Sequence, residues 1–149
     1  VGDNVATTPE HNKNTVIRFF LAANNDQLQE LDKFMAEDFT TYGPQSLLPK
    51  AVGREAHKQG IGGFKQTFPD AKIEIIYLIA EGNKVMSHQR VTARHVNEFM
   101  GVKPTFKYLT WTATQLATFD DNGIMTERWV IEDFMGMFQQ LGILPTKFG

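Results

Sequence analysis

The chain has 149 residues, the length of one domain, and its 42% hydrophobic and 21% charged composition separates it from disordered sequences. Fifteen Lys and Arg against seventeen Asp and Glu leave a formal charge of −2, so no global field attracts a phosphate backbone and nucleic acid is not an expected partner. The absence of cysteine excludes disulfides, thiolate nucleophiles and Cys-ligated metals. Apolar runs such as Ile75 to Ala80 are far shorter than the roughly 20 residues that span a bilayer, and Val1 to Val5 carries no secretory pattern. No membrane partner and a cytoplasmic location are therefore expected.

Thr7, Thr8, Pro9 and Glu10 read as a helix start, with a Thr cap, an early Pro and a Glu three residues after Thr7. Val16, Phe19, Phe20 and Ala23 then recur at helical spacing. Asn24-Asn25-Asp26 can cap a second short helix whose buried stripe is Leu28, Leu31, Phe34 and Met35. Phe39 to Tyr42 reads as a small strand, and Gly43-Pro44 opens a loop to about Val52. A third helix is expected over about Arg54 to Thr67, despite Gly60, Gly62 and Gly63.

From Ala71 the pattern becomes that of strands. Ile73, Ile75, Tyr77 and Ile79 are expected on one face, Glu81-Gly82-Asn83 makes a turn, and Val85 to Val96 returns. A Thr- and aromatic-rich strand runs from about Phe106 to Phe119, Asp120 to Gly123 forms a hairpin turn, and a last strand covers Ile124 to about Asp133. A short apolar helix through Phe134, Met137, Phe138 and Leu141 stops at Gly142. Helices followed by an antiparallel meander make an α+β chain, in which a strongly curved sheet would leave a concave mouth for a ligand.

Along the last strand Glu127, Trp129, Ile131 and Asp133 share one face and Arg128, Val130 and Glu132 the other. Asp133 beside Trp and Ile would be desolvated and raised in pKa towards a value useful for proton transfer. A second reading stands beside it, because an Asp at a strand-to-helix junction also caps the helix. His11, His57, His88 and His95 have no close ligand spacing, so no metal is expected; His95 is the one considered for a site. Trp111 with Leu109 and Ala113 forms one face of the long strand, and Tyr108, Thr110, Thr112 and Thr114 the other; either could wall a cavity. Neither a phosphate loop nor a Gly-x-Ser-x-Gly elbow is present, which leaves carboxylate acid–base chemistry.

Phe68-Pro69-Asp70, Leu78 to Val85, His95 to Thr105, Asn122-Gly123-Ile124, Glu127-Arg128-Trp129, Asp133 and Gln139 to Gly142 together resemble the SnoaL-like polyketide cyclase family. The likeness runs in order from about Asn14 to Leu144 and makes residues 1–149 one domain. It implies a nuclear transport factor two-like α+β cone, with helices on a strongly curved, mostly antiparallel sheet, and a homodimer or homotetramer formed through that sheet. It also implies intramolecular aldol ring closure of a small hydrophobic, polyketide-like carbonyl compound, an aromatic polyketide ester in the founding cyclase, without metal or cofactor. By the Glu-x-Trp-x-x-x-Asp pattern the acid–base residue would be Asp133, with His95 as an oxyanion donor or a loop anchor. Tyr42, Trp111, Trp129 and Ile131 would then contact substrate. The sequence departs from the family where Ala93-Arg94 replaces Gly-Thr before His95, and where Phe106 stands at a position often held by Gly. Alternatives on the same fold are an epoxide hydrolase, a ketosteroid-isomerase-like enzyme, or a non-catalytic ligand-binding or dimerisation module.

Overall fold

A computed structural model describes residues 7–44 and 50–147. The amino-terminal residues Val1 to Val5 and part of the loop expected after Gly43 lie outside the described residues. In chain order the elements are α1 (Pro9–Asn24), a 3-10 turn (Leu28–Lys33), β1 (Met35–Tyr42), β2 (Ala51–Val52) and α2 (Arg54–Thr67). They continue with β3 (Lys72–Glu81), β4 (Lys84–Arg94), β5 (Tyr108–Phe119), β6 (Met125–Glu132) and α3 (Phe134–Leu141). No helix among the described residues is long and apolar enough to cross a membrane.

The start of α1 follows from its sequence, with Thr8 as the cap: its hydroxyl accepts from the His11 N–H at 3.1 Å, and Pro sits where no N–H is needed. Thr7 is not half of a capping box; its hydroxyl accepts from the Asn12 side chain at 2.7 Å. The second helix is only a 3-10 turn with no side-chain cap, and β1 begins at Met35 rather than Phe39. Phe34 and Met35 are nevertheless buried, because the chain turns inward there rather than continuing a helical stripe. α2 spans the range expected despite its glycines, since tertiary packing outweighs their propensity cost.

The six strands form one sheet in the order β2-β1-β6-β5-β4-β3. All neighbours are antiparallel except β1 and β6, which run parallel. That pairing brings distant parts of the chain together and makes β6 an interior strand. A register shift between Ile75 and Tyr77 corrects the expected face of β3. The extra residue reverses the alternation, so Leu78 and Ala80 pack on the core while Tyr77 and Ile79 are exposed.

α1 lies over β3 and β4, α2 over β1, and α3 against β5. Two apolar clusters result. One gathers Phe19, Phe20, Phe34, Phe39, Phe119 and Met125; the other Phe68, Leu109, Trp111, Phe134, Met137 and Leu141. Each fully buried side chain of this size, such as Phe39 or Phe68, contributes about 1.5–3 kcal/mol relative to exposure.

Candidate functional site

A cavity of about 270 Å³ opens between the two clusters, bounded by Phe19 and Phe20 of α1, His57 and Phe64 of α2, and the concave face of the sheet. Strand register determines which side chains reach it. Ile73, Val91 and Trp111 are aligned across β3, β4 and β5; Gln89, Ala113 and Glu132 across β4, β5 and β6; and Arg128 is opposite Thr41 of β1. All of these line the cavity. Within a largely apolar wall the sheet therefore presents a carboxyl, a guanidinium and an amide.

Glu132 is held by Trp111, whose indole Nε1 donates to Oε2 at 2.8 Å. Oε1 makes no hydrogen bond among the described residues. Burial pushes this carboxyl above the usual range, partly offset by the Trp111 hydrogen bond and the Arg128 charge. Glu132 thus has the environment of a group that takes and returns a proton.

Arg128 and His57 meet at Thr41 and Phe19. His57, 6% exposed, hydrogen-bonds through Nδ1 to the Thr41 hydroxyl at 3.1 Å, while its Nε2 is buried without a partner. Burial, reinforced by the Arg128 charge, lowers its pKa to about 2 and keeps the ring neutral. The Arg128 guanidinium lies 5.3 Å from the Phe19 ring centroid, and Nη1 donates to Gln115 Oε1 at 2.9 Å. Burial brings its pKa down to about 10, with Glu132 opposing, so it stays charged at neutral pH.

The expected site residues divide. Trp111 lines the cavity, 2% exposed. Trp129 and Ile131, 52% and 70% exposed, project from the opposite, convex face of the sheet, where Tyr42 stacks on Trp129 with ring centroids 4.3 Å apart. Asp133, just past the end of β6, is exposed and does not line the cavity; its Oδ1 accepts from the Gly136 N–H at 2.8 Å, capping α3. A Cβ at residue 136 would collide with that carboxylate, so Gly136 fits the cap. His95 is fully buried outside the cavity lining. Its Nδ1 accepts from the Thr105 N–H at 3.2 Å and lies 3.0 Å from the Thr105 hydroxyl, closing the 95–105 loop.

Nothing in the local sequence singles out Glu132, Arg128 or His57 as site residues. The alternation of the last strand puts Arg128 and Glu132 on one face, but an Asp beside Trp and Ile points to the other face as the inner one. His57 had no neighbouring motif; its position follows from α2 crossing β1.

The profile of the SnoaL-like polyketide cyclase family matches residues 14–141. Among solved structures, AclR from Streptomyces galilaeus, named as a candidate hydroxylase, is 27% identical with a TM-score of 0.80, over 93% of this chain and 100% of that one. IdmH from Streptomyces antibioticus, named as a candidate polyketide cyclase, is 26% identical with a TM-score of 0.78, over 88% and 98%. A SnoaL-like protein from Jannaschia, 20% identical with a TM-score of 0.82 over 93% and 98%, shares the fold. No curated protein matches the chain. The profile spans most of the sequence, and the helix-covered curved sheet is that of these structures: the chain belongs to the SnoaL-like polyketide cyclase family.

Proposed function

We propose that the cavity is an active site for proton transfer beside a carbonyl of a small, mostly apolar, polyketide-like compound, with intramolecular aldol ring closure as the reaction and Glu132 as general base and acid. The observation that carries this reading is Glu132 itself, a buried carboxyl raised above its usual pKa, anchored at Oε2 and unpartnered at Oε1, facing an apolar cavity. Ionised Glu132 would take a proton from the carbon next to the carbonyl, leaving an enolate. The enolate carbon would form a bond to a second carbonyl of the same molecule, and the resulting alkoxide would take the proton back from Glu132. No external oxidant, reductant or metal is needed for the balance.

His57 supports the second step. In the tautomer in which Nδ1 accepts from Thr41, Nε2 carries a proton and is a neutral donor for a carbonyl oxygen. The apolar walls would hold the chain folded, and such positioning can be worth about 7–11 kcal/mol. A volume near 270 Å³ falls just below the usual range of ligand sites, ~300–1,000 Å³, and favours a one- or two-ring product. The implied homodimer or homotetramer is supported by an apolar row across the convex face, where Ile79, Met86, Leu116 and Trp129 are aligned and exposed.

The test is deuterium exchange at the carbon beside the carbonyl of 1-tetralone in heavy water, followed by proton NMR. Wild-type protein is expected to accelerate exchange above buffer, and Glu132→Gln to remove the acceleration while remaining folded. Exchange that survives in Glu132→Gln, or no acceleration by wild type, overturns the assignment.

A further inference from the structure

We infer that Arg128 is the binding residue for a carboxylate on the compound that occupies the cavity, so that the substrate is an anionic carbonyl compound rather than a neutral one. The inference deepens the reading of this cavity as the active site and rests on it.

The geometry of Arg128 carries the argument. Its guanidinium is inside the cavity wall, against the face of Phe19. Nη1 is engaged by the neutral amide oxygen of Gln115, whereas Nε is buried with no partner. No carboxylate forms a salt bridge with it among the described residues, in contrast to Arg54, whose Nε is 2.9 Å from Asp32, and Arg90, which pairs with Glu74 at 3.6 Å. A buried guanidinium is ordinarily paired, because an uncompensated charge in an apolar surround is strongly unfavourable. The planar fork of Arg matches a carboxylate in a two-point contact.

The carboxyl on the same face does not supply the missing charge. Glu132, four residues along β6, acts on the guanidinium only through space and forms no salt bridge with it, its Oε2 being engaged by Trp111. His57 beside Arg128 is neutral and is a hydrogen-bonding group only. The cavity wall therefore carries a cation without a salt-bridge partner and a separate proton-accepting carboxyl, among apolar residues that include Val91, Ala113 and Val130. A compound anchored by a carboxylate at Arg128 would present its carbonyl-bearing carbon towards Glu132, which gives one orientation from one ion pair.

The experiment compares 2-naphthoate with 2-naphthamide, which share size and shape but differ in charge, using calorimetry on the full chain. Wild type is expected to bind the carboxylate at least tenfold more tightly, about 1.4 kcal/mol. Arg128→Gln should abolish that preference without weakening the amide, and Arg128→Lys should keep part of it. Equal binding of the two probes to wild type, no binding of the carboxylate, or a preference that survives in Arg128→Gln overturns the inference. The wild-type comparison decides even where a variant folds poorly. Glu132→Gln should retain the carboxylate preference, so loss of proton exchange and loss of anion binding report separately on the two assignments.

Discussion

Trp111 and Glu132 join two strands at the point where the chemistry is expected: the indole N–H on β5 donates across 2.8 Å to the carboxylate at the end of β6. The two are not directly opposite, since Glu132 is opposite Ala113, so the bond runs diagonally along the cavity wall. It favours the charged carboxylate, against the burial that favours the neutral acid.

A consequence can be read in the pH profile of proton exchange. The base form of Glu132 is lost below a midpoint that lies above the ordinary carboxylate value of 4.5. Trp111→Phe removes a group that lowers this pKa, so the midpoint should move to higher pH. A midpoint that stays in place or falls would show that the indole does not stabilise the ionised form.

Asp133 and Glu132 are adjacent, and their substitutions should have opposite effects. Asp133→Ala should cost about 1 kcal/mol in urea denaturation, as for other lost caps, whereas Asp133→Asn should be nearly neutral because Asn caps as well. Both should retain proton exchange. Loss of exchange in a folded Asp133→Asn protein would return the catalytic role to Asp133.

His57 should make the fold acid-sensitive. Its folded pKa of about 2 is below the unfolded value of 6.5, so the unfolded chain binds the extra proton. Its stabilising effect is complete above pH 6.5 and declines as pH falls towards about 2, with a limiting slope of about 1.4 kcal/mol per pH unit. Glu132 acts in the other sense: with its folded pKa raised, its contribution is present below 4.5 and lost as pH rises through the folded value. Denaturant midpoints should therefore drop between about pH 7 and pH 5 in wild type and less steeply in His57→Gln. Parallel curves for the two proteins would contradict this.

Phe106 adopts a φ of 57°, in the left-handed region, and its side chain is 57% exposed. That conformation is unfavourable for a residue with a Cβ by roughly 1–2 kcal/mol and natural for Gly. The main compensation is contact with the Arg94 guanidinium, 5.8 Å from the ring centroid. Phe106→Gly should raise stability, by up to about 1 kcal/mol after the greater chain entropy of Gly is included. Thermal denaturation checks the sign, and a lower midpoint would mean that the ring contacts outweigh the strain.

The sequence alone determined what depends on neighbours along the chain. The Thr-Pro start of α1, the limits of α2, the Asp120 to Gly123 turn and the Gly142 stop are local matters of capping, turn chemistry and conformational freedom. Strand alternation also separated Arg128 and Glu132 from Trp129 and Asp133. Alternation has no sign, however, and only the tertiary structure decided which face was concave. The parallel pairing of β1 with β6, the helices over one side of the sheet and the register shift at Ile75 and Tyr77 turned Trp129, Ile131 and Tyr77 outward. The same arrangement enclosed Glu132, Arg128 and His57, residues that become neighbours only when strands and helices distant in sequence are packed together.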